Sequence, residues 1–119
     1  MDTNIQSIIE KLEKGQHVIH KVDANDMEPV ILKNEPIVLE PVSSEKKLKK
    51  NNVVFCEVNG RFYVHFITAI TTMQDKKWFQ IGDLHGSIKG DVTFEKIYGK
   101  AIVFGETPCE EFMKKNAQN

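Results

Sequence analysis

Residues 51–70 read NNVVFCEVNGRFYVHFITAI. Two runs rich in β-branched and aromatic residues flank the dipeptide Asn59-Gly60. Both residues of that pair tolerate positive φ, which a two-residue type I′ turn requires. The twist of such a turn matches that of the antiparallel strands it joins. The spacing predicts a hairpin, with one strand over NVVFCEV and the other over RFYVHFITAI.

Working outward, HVIHKV (17–22) alternates, with Val18, His20 and Val22 on one face and Ile19 and Lys21 on the other. PIVLEPV (36–42) carries Pro36 and Pro41 at its ends, where strands tolerate proline. KKWFQI (76–81) and IYGKAIVF (97–104) complete the strand-like runs. The glycine-rich GDLHGSIKGDV (82–92) is expected to be a shaped loop. Ahead of the strands, Ile5, Ile8, Ile9 and Leu12 recur at helical spacing over residues 3–14, and Gly15 supplies a stop signal. A helix of about three turns is marginal alone, so its apolar face must dock on the strands. At the other end Thr107, Pro108 and Glu110 have the pattern of a capping box, which predicts a terminal helix over 107–115. The expectation is a single mainly β domain over 1–119, antiparallel and closed or nearly closed. It has a helical segment over 1–15, a β core over 17–104 and the C-terminal helix.

The charge balance narrows the function. Sixteen Lys+Arg against 17 Asp+Glu give a net charge of -1, which argues against a general grip on nucleic acid or on an anionic membrane. Arg61 is the single arginine, so bidentate phosphate recognition is not favoured. Lys46, Lys47, Lys49 and Lys50 cluster in a polar stretch that reads as a solvated loop. Trp78, Phe79, Phe62, Phe66 and Tyr98 read as core or groove lining. No apolar run approaches the ~18 residues of a membrane span. MDTNIQSII lacks the positive start and apolar core of a signal peptide. Cys56 and Cys109 make no disulfide framework. A reduced, cytoplasmic protein without a cofactor is expected.

The stretch NDMEPV (25–30) adds a more specific signal. A strand leads into MEP. A proline-bearing strand follows, then KKNNVVF, the Asn-Gly hairpin, YVHFI, an aromatic strand ending in Gly82-Asp83, and YGKAIVF. This ordered set resembles the S24/S26 peptidase superfamily, the signal peptidases and the LexA/UmuD-like self-cleaving repressors. It looks most like the archaeal and endoplasmic-reticulum signal peptidases, and it runs from about Val18 to Phe104. The resemblance implies a bent, partly closed antiparallel β fold of the LexA C-terminal type. It also implies that Asp26 stands where relatives carry the nucleophilic serine, that His65 matches their base, and that Asp83 matches their Gly-Asp pair. Relatives carry a further acid a few residues on. Here that stretch is GSIKG, and the next acid is Asp91.

A serine peptidase needs a hydroxyl nucleophile, a base and an oxyanion hole. An aspartate in the nucleophile position would form a mixed anhydride and repel a developing oxyanion. The expectation is therefore a pseudopeptidase: a non-catalytic module whose groove takes a peptide or protein as an added strand. A second copy of the chain, pairing through an edge strand, would be held in the same way. Asp26, Met27, Glu28, Pro29, His65 and Asp83 are the expected binding residues. The alternative is a hydrolase with a rearranged or metal-assisted site around His65. Ser87 is then the least improbable nucleophile among Ser7, Ser43, Ser44 and Ser87; Cys56 and Cys109 are weaker candidates. Asp26 itself has three readings. It closes an Asx-turn, or it pairs with His65 and raises the histidine's pKa, or it joins His65, Asp83 and His85 around zinc or manganese. His17 and His20, three apart in a strand, fall on opposite faces and form no site.

Overall fold

The computed structural model describes residues 3–102. An N-terminal helix α1 (Thr3–Glu13) precedes seven strands: β1 (Val18–Lys21), β2 (Pro36–Glu40), β3 (Val53–Val58), β4 (Arg61–Met73), β5 (Lys76–Gly82), β6 (Ile88–Val92) and β7 (Ile97–Ile102). They form one antiparallel sheet in the order β1-β2-β7-β3-β4-β5-β6. Among the described residues the sheet keeps two free ends, β1 and β6, and does not close into a barrel. The C-terminal helix expected over 107–115 lies outside the described residues.

The hairpin that organises the sheet forms as its sequence dictates. Val58 pairs with Arg61, and Asn59 and Gly60 take φ of 51° and 82°. β3 is apolar on both faces because both are covered. Val53 and Phe55 enter one core, which also holds Ile8, Ile9 and Leu12 of α1. Val54, Cys56 and Val58 enter a second core with Phe79, Ile81, Val92 and Ile97. The far end of the sheet curls back over β3 to enclose that second core. Register shifts at Phe55/Cys56, Ile67/Ala69 and Ile81/Gly82 supply the bends.

Two features depart from the sequence reading. β4 runs three residues beyond Ile70, and a second two-residue turn, Gln74-Asp75, returns the chain between Met73 and Lys76. Both turn residues have positive φ, 54° and 63°, without a glycine to announce it. The other is β6, which lies inside the glycine-rich stretch expected to be all loop. Gly90 is there because a Cβ at that position, with φ of 149°, would sit 2.9 Å from Val58 Cγ1. Within a strand, glycine can mark close approach of another element as well as a break.

α1 ends in a Schellman motif: Gln16 N–H donates to Lys11 O (2.9 Å), Gly15 N–H donates to Leu12 O (3.0 Å), and Gly15 has φ of 85°. The helix docks Leu12 onto Gly99 of β7, where an added Cβ would lie 3.0 Å from Leu12 Cδ1 and 3.2 Å from Glu40 O. Gly99→Val is expected to destabilise the protein by about 1–3 kcal/mol through overpacking. Leu12→Ala is expected to cost about 2–5 kcal/mol through the cavity it leaves. Chemical denaturation of the two variants checks both figures.

Candidate functional site

β5 covers β4 only from Phe66 onward, where Phe66 pairs with Gly82. Over Arg61–His65, β4 pairs with β3 on one side. Its other edge has no strand partner among the described residues. In that direction the chain runs on from Gly82 into the Asp83–Ser87 turn, and the Asp26 loop packs beside it. Leu84 N–H donates to Asp26 O (3.3 Å), which joins the two loops. Met27 and Ile31, each 1% exposed, anchor the Asp26 loop in the first core. Asp26 is thereby left at the surface of the loop.

A cleft of about 330 Å³ opens there. Its walls are His20–Ala24 at the end of β1, Asp26 and Met27 of the loop, and Phe62–His65 of β4, with Phe55 and Ile5 completing the lining. Phe55 packs against His20, Phe62 and Tyr98, with ring centroids 5.9–6.1 Å apart. The sequence reading left His20 out of any site, yet it lines this cleft. Its pairing partner Ile37 belongs to the core, which was no guide to the bend that brings β1 opposite β4.

Three of the four proposed metal-site residues converge. One ligand-type atom from each of Asp26, His65 and Asp83 lies within 4.8 Å of the others. His65 is 3% exposed. Its Nδ1 is 2.6 Å from Val64 O, a contact that requires Nδ1 to carry the proton. Nε2 then presents a lone pair. It is buried without a hydrogen-bond partner and faces Asp26 Oδ2 at 3.8 Å. Tyr63, two residues away on the same face of β4, holds the imidazole with ring centroids 4.7 Å apart.

Asp83 is buried and held from behind. Its Oδ1 accepts N–H bonds from His85 (2.8 Å) and Ser87 (3.0 Å). An Asx-turn, one of the three readings of Asp26, forms at Asp83. The Asp26 turn closes through backbone, with Glu28 N–H donating to Asn25 O at 3.2 Å. Lys89 Nζ sits 4.0 Å from Asp83 Oδ2, over the Tyr63 ring at 5.6 Å and 3.2 Å from Ser87 Oγ.

Other expected site residues lie elsewhere. His85 is exposed in its loop and gives the cluster only a backbone N–H to Asp83. Glu28 turns to its own loop, where Oε2 accepts the Lys33 N–H (3.1 Å), and Pro29 is exposed; neither lines the cleft. Ser87 is exposed, and its Oγ accepts from Lys89 Nζ (3.2 Å). Ser44 Oγ caps a short 3-10 turn over Glu45–Lys47, and Ser43 lines a separate depression. Burial pushes the Cys56 thiol up to about 12, so it is no nucleophile at neutral pH. Cys109 lies outside the described residues. No helix among the described residues is long and apolar enough to cross a membrane.

The expectation of a raised His65 pKa is corrected. Burial lowers it, and the Lys89 charge acts in the same direction. The Val64 bond and the Asp26 and Asp83 charges oppose this without overcoming it. Asp26 is partly solvated, so its field is screened, while the imidazole is almost wholly out of water. No family model matches the chain, and no curated protein or solved structure matches it either.

The sign of the pH dependence follows. A histidine with a folded-state pKa below 6.5 holds fewer protons folded than unfolded as pH drops past that value. Its contribution to stability is complete above 6.5 and is lost progressively below it, down to the folded pKa. Burial shifts His20 the same way. The melting temperature is expected to fall as pH drops below 6.5. The His65 ring-proton resonances should titrate with a midpoint below that value, and a midpoint above it would mean that the carboxylates prevail.

Proposed function

We propose that the protein is a non-catalytic peptide- or protein-binding module on a peptidase-like β fold, with the cleft between β1 and β4 as its binding groove. The observation that carries the reading is the edge of β4 at Arg61–His65, unpaired among the described residues, of which Phe62–His65 line that cleft. An extended segment can satisfy those backbone groups as an added strand, with main-chain bonds supplying affinity. Phe62, about one-third exposed, and the half-buried His20 ring, which packs on the buried Phe55, offer ground for a ligand's side chains. The order of motifs from Val18 onward resembles the signal-peptidase and LexA-like groove, which uses the same mode. Asp26 sits in the loop where such relatives present a serine, and its carboxylate faces His65 without a hydroxyl to activate.

The second reading is a hydrolase around His65, favoured by the convergence of Asp26, His65 and Asp83. Among the described residues, Ser87 Oγ is bonded to Lys89 rather than to His65, and the Cys56 thiol is buried and protonated, so the reaction this cluster supports is attack by an activated water.

Unstructured peptides with alternating apolar residues, titrated into labelled protein, separate these readings. Binding is expected to shift the amide resonances of Arg61–His65 and Val18–Lys21. Mass spectrometry should recover the peptides uncut. Phe62→Glu is expected to weaken binding by about 1–2 kcal/mol, as loss of a partly buried aromatic anchor does. Perturbations confined to other surfaces would contradict the groove. Peptide cleavage that is lost in His65→Gln would favour the hydrolase.

A further inference from the structure

The Asp26–His65–Asp83 cluster has a feature that peptide binding leaves unexplained. His65 Nε2 is buried, unpartnered and aimed at a carboxylate oxygen. With Nδ1–H committed to Val64 O, the neutral ring turns a lone pair towards the lone pairs of Asp26. Two acceptors facing each other without a proton between them repel. The juxtaposition is satisfied either by a proton, which burial of the imidazole disfavours, or by a cation.

We propose that Asp26, His65 and Asp83 form a binding site for a divalent transition-metal cation of the zinc–manganese class. One imidazole nitrogen and two carboxylates make a donor set that such ions accept. Histidine ligands commonly donate the other ring N–H to a backbone carbonyl, which fixes the metal-binding tautomer; Val64 O does this for His65. Asp83 has comparable support, since two backbone N–H groups hold Oδ1 and leave Oδ2 available. Metal–ligand bonds of about 2.0–2.2 Å place donors about 3–4 Å apart. The donors here lie within 4.8 Å, so a small inward movement completes the site. Asp26, with a side chain 40% exposed, is the ligand free to make it. The carboxylate reaches solvent through the cleft, which gives an ion its route in. His85, offered by the sequence as a fourth ligand, is not one of them.

Lys89 is the competitor. Its ammonium lies 4.0 Å from Asp83 Oδ2 and already supplies part of the positive charge the cluster attracts. A bound dication would displace it towards solvent. Removing that charge should therefore strengthen metal binding, which a merely adventitious surface site would not register.

The test is calorimetric titration of the full chain with zinc, beside cobalt(II) titration read by visible absorption. Wild-type protein is expected to bind one ion and to gain thermal stability. Asp26→Ala, at a partly exposed position, should weaken binding by roughly tenfold or more, the scale on which metal-site partners act. Lys89→Met should tighten it. His85→Ala should leave it unchanged, and His65→Gln should abolish the cobalt absorption attributable to the imidazole. The proposal is overturned if wild-type protein binds no ion. It is equally overturned if binding survives Asp26→Ala and disappears in His85→Ala, which would mark an adventitious surface site. Because the readout is metal binding, the result does not depend on whether the cleft takes peptides.

Discussion

The 2.6 Å contact between His65 Nδ1 and its neighbour's carbonyl, Val64 O, is the constraint on which the site depends. It commits one ring nitrogen as a donor and leaves the other as a buried acceptor without a hydrogen-bond partner. Everything around the imidazole responds to that. Tyr63 fixes the ring plane from the same strand face. Asp83 is pinned by its own turn, and Asp26 is brought up by a loop that hangs from Met27 and Ile31. An imidazole in this state is a ligand or a base. A carboxylate in front of it gives the base no hydroxyl to deprotonate, and the lone pair is left facing a second acceptor.

The same strand creates the groove. β4 is thirteen residues long, and β5 accompanies it only from Phe66 onward. Had the pairing continued, the Arg61–His65 edge would be covered and the cleft filled. Instead the chain leaves β5 at Gly82, turns at Asp83 and comes back as β6. Gly82 permits this close passage: a Cβ there would meet Ile88 Cδ1 at 3.0 Å and Ser87 O at 3.1 Å. The uncovered edge and the site of the buried histidine are thus two consequences of one departure of strands.

Much of the β framework was legible because it is local. Asn59-Gly60 announces a turn whose geometry few other residue pairs suit, and the runs on either side are long and β-rich. α1 was legible from its apolar spacing and Gly15. What escaped was set by contacts distant in sequence. Gln74-Asp75 forms a second tight turn without glycine because the paired strands on both sides impose it. Gly90 lies in a stretch whose glycines signal a loop, although it is needed where β6 meets Val58. For the site, the convergence of Asp26, His65 and Asp83 is one of the three readings of Asp26 that the resemblance opens, there with His85, which stays outside it. The direction of the His65 shift was not legible, since it depends on burial, and charge counting along the chain carries no measure of burial. His20 was missed for a related reason: only the bend of the sheet brings the end of β1 opposite β4.

The most direct measurement is the protonation pattern of the His65 ring, read from its imidazole nitrogen resonances at neutral pH in metal-free protein. The expected result is a neutral ring with the proton on Nδ1 and a bare Nε2. A proton on Nε2, alone or in a doubly protonated ring, would give Asp26 an ordinary hydrogen-bonded partner. It would contradict the account of this cluster as a ligand set facing an open groove.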